Sequence, residues 1–207
     1  MTQTVTLTRV SRVRGRADLY LSTGEMLSMP RAMLKERPYR GGTPFDQEAF
    51  HVFISERSYP FALEKAISLL ALRSRTEKEI CDTLRLCAYP EKTIARVMER
   101  LAEAGYLNDA DFAVNWASAR TSKGLGKRRI GMELIRKGVD RETVGEVLSE
   151  IGEDEMLEAA MKAARKAASG KDVSSPDDRR KVFTALMRRG FDSGLARKAI
   201  QTLQEES

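Results

Sequence analysis

Apolar residues along the chain follow two different periods. Over residues 5–13 and 17–27 they alternate with polar ones, the pattern of half-buried strands. A tight turn at Arg14-Gly15 joins the two stretches, and Ser22-Thr23-Gly24-Glu25 bends the second. Pro30 opens a short helix, Gly41-Gly42-Thr43-Pro44 breaks the chain, and Asp46 is placed to cap a helix reaching Arg57. From residue 61 onward the apolar spacing becomes three and four, with charged positions between. That is the spacing of helices with one buried face. Residues 61–72, 110–120 and 155–168 each read as one such helix.

The helical part repeats itself. Residues 76–101, 126–151 and 178–203 align without a gap at offsets of 50 and 52. Ile80, Ile130 and Val182 coincide, as do Leu84, Leu134 and Leu186, and Tyr89, Val139 and Phe191. The match continues through Val97, Val147 and Ala199, then Met98, Leu148 and Ile200, and ends at Leu101, Ile151 and Leu203. Each block reads as two helices about a tight turn. Thr76-Glu77-Lys78-Glu79 has the capping-box pattern that starts the first helix. Gly138 and Gly190 suit a left-handed helix end, and Asp140 and Asp192 suit the next N-cap. In the first block Ala88-Tyr89-Pro90 replaces that turn, with Pro90 acceptable at the first helical position. Val144, Val147, Leu148 and Ile151 form the buried stripe of the last helix in the middle block. The third copy carries an extra loop, residues 169–177, in which Ser175-Pro176 has the form of a helix start.

With the helix upstream of each block, the unit is three helices of about 45–50 residues, the length of helical arrays. One unit buries its apolar face poorly alone, and stacking neighbours builds a continuous core. The expected fold is mainly α: three tandem three-helix repeats forming an elongated array, with a small N-terminal β-hairpin and helix cap. The expected boundaries are 1–58 for the cap and 59–108, 109–152 and 153–207 for the repeats. Leu101, Tyr106, Leu107, Phe112 and Trp116 have helical spacing and are assigned to core and inter-unit packing.

Composition narrows the chemistry. Of 207 residues, 36 are Lys or Arg and 30 Asp or Glu, a surplus of +6 that describes a charged chain rather than a polycation. No apolar run reaches the ~18 residues of a membrane span; residues 59–72 are interrupted by Glu64 and Lys65. The start Met1-Thr2-Gln3-Thr4, followed by Arg9, Arg12, Arg14 and Arg16, lacks the apolar region of a secretory leader. Cys81 and Cys87 are too few for a disulfide framework, so a cytoplasmic protein is expected. His51 is the single histidine; with the C-x5-C pair it matches no zinc pattern, and no nucleophile motif lies beside it. Near Gly124-Leu125-Gly126-Lys127, Thr121 stands where a phosphate loop has its first glycine, and Arg128 where it has its Mg²⁺-holding hydroxyl. No catalytic residue, metal or cofactor is expected.

The positive charge is unevenly placed. Arg120, Lys123, Lys127, Arg128 and Arg129 fall within ten residues that contain no acid, and Arg136 and Lys137 continue the surface. Arg188 and Arg189, with Arg179-Arg180-Lys181, repeat the pattern in the third copy, and Arg9–Arg16 is a further cluster. Such clusters neutralise phosphates with release of counterions. They serve equally as solvated faces balanced by Glu133 and Asp109. The expected partner- or DNA-binding set is Arg120, Lys123, Lys127, Arg128, Arg129, Arg136, Lys137, Arg188 and Arg189, with Gly124 and Gly126 letting the basic junction approach a partner closely. Sequence-specific reading of DNA is disfavoured. The second helices expose Glu142, Glu146 and Glu150, or Glu99 and Glu103, which phosphates repel.

The ordered motifs Arg73-Ser74-Arg75-Thr76-Glu77-Lys78-Glu79-Ile80, Gly105-Tyr106-Leu107-Asn108-Asp109 with Phe112-Ala113, Gly126-Lys127-Arg128-Arg129-Ile130 with Glu133-Leu134 and Lys137-Gly138-Val139, and Arg188-Arg189-Gly190-Phe191 resemble the RecX family, regulators of the RecA recombinase. The resemblance covers residues 60–205 and departs at Cys87-Ala88-Tyr89, where a basic-Gly pair is usual. It implies a non-catalytic modulator that lies along the groove of the RecA–single-stranded-DNA filament and limits its extension, ATP turnover and strand exchange; a monomer is expected. Two other classes also fit the residues: a general DNA-binding helical-repeat protein without a recombinase partner, and a protein-interaction scaffold. Salt separates them, since only the DNA binder shows a steep salt slope on naked DNA.

Overall fold

The computed structural model describes residues 5–206. Met1–Thr4 and Ser207 lie outside the described residues, and so does the expectation drawn from the N-terminal tetrapeptide. The chain divides into two compact units, Met1–Leu107 and Asn108–Ser207.

In the first unit, β1 (Thr6–Val13), β2 (Arg16–Leu21), β3 (Met26–Pro30) and the short β4 (Thr43–Pro44) form one antiparallel sheet in the order β3-β2-β1-β4. The expected hairpin is therefore a four-stranded sheet. Stretch 17–27 is two strands because Gly24, at φ 87°, reverses the chain between them. Thr43 and Pro44, expected only to break the chain, pair with Leu7 and Thr6. Pro30 closes β3 and precedes a 3₁₀ helix, Arg31–Lys35. One face of the sheet, with Leu7, Ala17, Leu19, Leu21 and Met29, packs on Phe45, Phe50 and Ile54.

Asp46 accepts the Ala49 N–H at 3.0 Å and starts α1 (Gln47–Leu72). The two helices expected on either side of residue 60 are one helix of 26 residues, with Pro60 inside it. A proline removes one helical hydrogen bond, yet Phe50, Ile54, Ser58, Ala62, Ala66 and Leu69 stay on one buried face straight through it. Packing along that face overrides the local break. Phe50 and Ile54 belong to the core under the sheet, Ala62 and Ala66 to the core of the first repeat. That repeat is completed by α2 (Glu77–Leu86) and α3 (Glu91–Glu103), with Thr76 Oγ1 accepting the Glu79 N–H at 3.2 Å. A buried hydroxyl pair, Ser58 and Thr93 at 2.7 Å, ties α1 to α3.

The second unit holds α4 (Asp109–Thr121), α5 (Lys127–Lys137), α6 (Arg141–Glu150), α7 (Glu153–Ala168), α8 (Pro176–Arg188) and α9 (Ser193–Glu205). The alanines of α7, at 159, 160, 163 and 164, are buried in a core shared by both repeats of this unit. The internal repeat is real in three dimensions: Ile80, Ile130, Val182, Leu84, Leu134 and Leu186 are all 0% exposed. Asp140 and Asp192 cap α6 and α9 by accepting the N–H groups of Thr143 and Leu195, both at 2.9 Å. The three turns share one backbone conformation. Gly138 and Gly190 have φ 99° and 88°, and Ala88 takes φ 63° without a glycine. One assignment is corrected. Tyr106, placed by spacing in the core, is 60% exposed, because the chain leaves α3 at Gly105 (φ 69°) before reaching it.

Candidate functional site

The basic stretch of the middle repeat is not a free loop. Gly126 is the N-cap of α5, and Lys127, Arg128 and Arg129 are its first turn. Cations there oppose the helix dipole, so their placement needs local compensation. Lys127 has it: Nζ donates to the Ile151 carbonyl at 2.8 Å, at the C-terminal end of α6 where a cation is favoured. Lys127 is thereby a structural cap as well as a charge.

Arg120 is similarly engaged. Its Nε donates to Glu133 Oε2 at 2.8 Å, and its guanidinium lies 4.1 Å from the centre of the Trp116 ring. Trp116 Nε1 donates to the same Glu133 oxygen at 3.2 Å, while Arg129 Nε donates to Glu133 Oε1 at 3.3 Å. Lys137 Nζ is 4.1 Å from the Trp116 ring and 5.3 Å from Phe112. Glu133, 11% exposed at its side chain, is the hub that draws Arg120 and Arg129 together between α4 and α5. Arg189 caps the backbone of the α4–α5 loop, donating to Gly124 O at 3.1 Å and Lys123 O at 3.4 Å.

The glycines face the same way, which corrects their expected role in approaching a partner. An added Cβ on Gly126 would lie 2.3 Å from the carbonyl of Gly190, and one on Gly124 3.3 Å from Ala159 O. Gly126 N–H donates to Arg189 O at 3.0 Å and Arg128 N–H to Gly190 O at 3.2 Å. These glycines let the second and third repeats meet backbone to backbone.

Of the nine residues expected at the site, Arg120, Lys127, Lys137 and Arg189 are half-buried in such contacts. Lys123, Arg128, Arg129, Arg136 and Arg188 are exposed. The structure adds two residues that charge counting missed. Met132 and Ile135, 51% and 45% exposed, lie between Arg128 and Arg136 on one face of α5. The spacing 128, 132, 135, 136 was available in the sequence, on the face opposite the repeated apolar positions Ile130 and Leu134, but counting charges alone passes over its two apolar members. Beside the α5 N-terminus is a cleft of about 730 Å³ lined by Lys127, Arg128, Glu153, Asp154, Phe191 and Lys198 among others. Its charges are mixed.

Titratable groups here are tuned for structure. Asp140 is held below the usual carboxylate range by hydrogen bonds from the Thr143 hydroxyl and N–H. Burial pushes the Cys81 and Cys87 thiols up, which suppresses the thiolate. Among the described residues, no three His, Cys, Asp or Glu side chains are grouped to hold a metal ion. No described helix is long and apolar enough to cross a membrane.

Comparison with known proteins places this geometry in a family. Residues 62–101, 108–148 and 153–200 match the first, second and third three-helix domains of RecX respectively. The regulatory protein RecX of Amycolatopsis mediterranei is 34% identical over 148 residues, which span 70% of this chain and 85% of that protein. Regulatory protein RecX of Listeria monocytogenes is 36% identical over 139 residues, 66% of this chain, and the match spans 52% of its length. A crystal structure of regulatory protein RecX superposes with TM-score 0.62 over 92% of this chain and 96% of that one, at 19% identity. RecX from Lactobacillus salivarius, 23% identical, gives the same TM-score over 70% of this chain. With three RecX three-helix domains matched in order, the chain belongs to the RecX family of regulatory proteins.

Proposed function

We propose that this protein binds the RecA–single-stranded-DNA filament in the cytoplasm and restrains it, lowering ATP turnover and strand exchange without chemistry of its own. The observation that carries the reading is the ordered match of all three RecX three-helix domains to this chain. The exposed face of α5 supports it physically. Arg128 and Arg136 flank Met132 and Ile135, so the face combines charges that steer encounter with apolar area that holds a protein partner. Tandem repeats add to this, because each further contact on one filament is made at high effective concentration.

The test is a RecA ATPase and strand-exchange assay with and without the purified chain. Both rates are expected to fall as the chain is added, and unchanged rates at stoichiometric protein refute the reading. The site is tested with Arg128→Ala combined with Arg136→Ala, which leave the Lys127–Ile151 cap intact. Regulation is expected to weaken while each surface change alters stability by about 0.5 kcal/mol or less. The exposed cations also favour a second reading, a general DNA binder with no recombinase partner. Under that reading the double variant loses naked-DNA binding and filament regulation in parallel across salt.

A further inference from the structure

The third repeat departs from the other two at one patch of its surface. Phe183 of α8 stands where the second repeat has Gly131 and the first has Cys81. Arg197 of α9 stands where they have Gly145 and Ala95, and Gln201 where they have Ser149 and Glu99. In the second repeat an added Cβ on Gly131 would lie 3.0 Å from Leu148 Cδ1, so α5 and α6 approach closely at that level. In the third repeat Phe183 holds the equivalent position, and a groove of about 310 Å³ lies between α8 and α9.

The groove has an apolar floor and a cationic rim. Phe183 is half-buried and Ile200 is 7% exposed. Arg180 lines the groove from α8 and Arg197 from α9, and both are exposed. Among the described residues, neither guanidinium is engaged in an ion pair or hydrogen bond. Their neighbours are engaged: Lys181 pairs with Asp178 at 2.8 Å, and Arg179 donates to Ser174 O at 3.0 Å. No carboxylate lines the groove. Its volume is at the bottom of the range of small-molecule clefts, about 300–1,000 Å³, which suits one seated side chain.

We propose that this groove docks an acidic segment of a partner protein, with one large apolar side chain seated on Phe183 and Ile200 and flanking carboxylates met by Arg180 and Arg197. The site is distinct from the α5 face and does not depend on the recombinase reading. Charge complementarity sets the sign of the partner, since two unpaired guanidiniums meet carboxylates with paired hydrogen bonds. The floor sets its kind. An apolar anchor gains by leaving water there, whereas a phosphodiester backbone has no apolar side chain to bury. Arginines around an anchor pocket are a recurring way of holding acidic peptide motifs.

The test uses the full chain and a short fluorescein-labelled peptide of Asp and Glu about one central Phe, read by fluorescence anisotropy. Saturable binding is expected. The same peptide with Ser in place of its Phe should bind about tenfold more weakly, the least that one buried aromatic side chain is worth. Arg180→Gln combined with Arg197→Ala should also weaken binding about tenfold, the loss of two partly exposed charge pairs. Arg180→Lys with Arg197→Lys should recover part of that loss by restoring the charge. Arg128→Ala with Arg136→Ala should leave the peptide isotherm unchanged, which separates this groove from the α5 face. An unchanged melting curve shows that α8 and α9 have survived the substitutions. Should the double variant not fold, Arg197→Ala alone is read, since Ala95 holds that position in the first repeat. Absence of peptide binding, or equal affinity for the Phe and Ser peptides, overturns the proposal. So does a double variant that loses affinity for a labelled oligothymidylate as much as for the peptide, because the groove is then a phosphate surface. None of these results bears on filament regulation, which the ATPase assay reads separately.

Discussion

The contact between Gly126 and Gly190 makes a sharp prediction about how the second and third repeats are joined. Gly126 has φ −84° and ψ 160°, an ordinary conformation for alanine, so Gly126→Ala introduces no backbone strain of its own. What it introduces is a methyl group 2.3 Å from the carbonyl carbon and oxygen of Gly190 and 2.4 Å from the Phe191 nitrogen. Carbon atoms pack at about 3.5–4.0 Å, so the two turns must part by more than about 1 Å. Such overpacking costs about 1–3 kcal/mol. Parting also breaks the bonds from Gly126 N–H to Arg189 O and from Arg128 N–H to Gly190 O, 3.0 and 3.2 Å long, at about 1 kcal/mol each. The expected loss is about 3–5 kcal/mol. A matched control uses the same chemistry in open space. Nothing lies within 4 Å of a Cβ on Gly145, inside α6, so Gly145→Ala should stabilise by about 0.5–1 kcal/mol. Trp116, the single tryptophan, lies in α4 of the same unit and reports its unfolding in urea by fluorescence. Opposite signs are expected for the two variants. If Gly126→Ala unfolds within about 0.5 kcal/mol of the parent, the backbone contact between the repeats is refuted.

Leu134, 0% exposed in the core of the second unit, should cost about 2–5 kcal/mol when replaced by Ala, read by the same urea titration; a loss below about 1 kcal/mol would place it outside the core. Ala88 holds φ 63° where its equivalents are glycines. Relief of a left-handed alanine is worth about 1–2 kcal/mol and the added freedom of unfolded glycine costs about 0.4–1, so Ala88→Gly should stabilise by about 0.5–1 kcal/mol; a destabilised variant contradicts the turn. Asp82, Glu91, Asp140 and Asp178 have carboxyls held below their ordinary values, chiefly by hydrogen bonds from Lys78, Arg85, Thr143 and Lys181. A depressed folded pKa gives stability that is complete above the ordinary carboxylate range and is lost as pH falls through the depressed values. The melting temperature should therefore be level near neutrality and decline below about pH 4, whereas a flat profile down to about pH 2 rules the bonds out as stabilising. Cys87, 5% exposed with its thiol pushed up by burial, should react with a thiol reagent at mildly alkaline pH only as fast as the first unit opens, and prompt labelling in the folded chain refutes that burial.

The repeat, its turns and its caps were legible in the sequence because they depend on local chemistry. Apolar spacing of three and four marks a buried helical face wherever it occurs, and Gly138, Gly190, Asp140 and Asp192 meet steric and hydrogen-bonding demands set within a few residues. The basic clusters were equally visible as charge. Tertiary structure decided what each charge does. Lys127 and Arg129 are adjacent to Arg128 and alike in sequence, yet Lys127 reaches Ile151, 24 residues away, and Arg129 reaches Glu133. Local pattern also misread residues whose surroundings come from afar. Pro60 stays inside α1 because its helix is held by two cores, and Thr43–Pro44 becomes a strand because β1 lies alongside it. Gly126 has ordinary dihedrals and no local need for glycine; only the arrival of Gly190, 64 positions later, gives it a reason. Local sterics can be read along a chain, whereas a close approach between distant segments exists only once they have folded together.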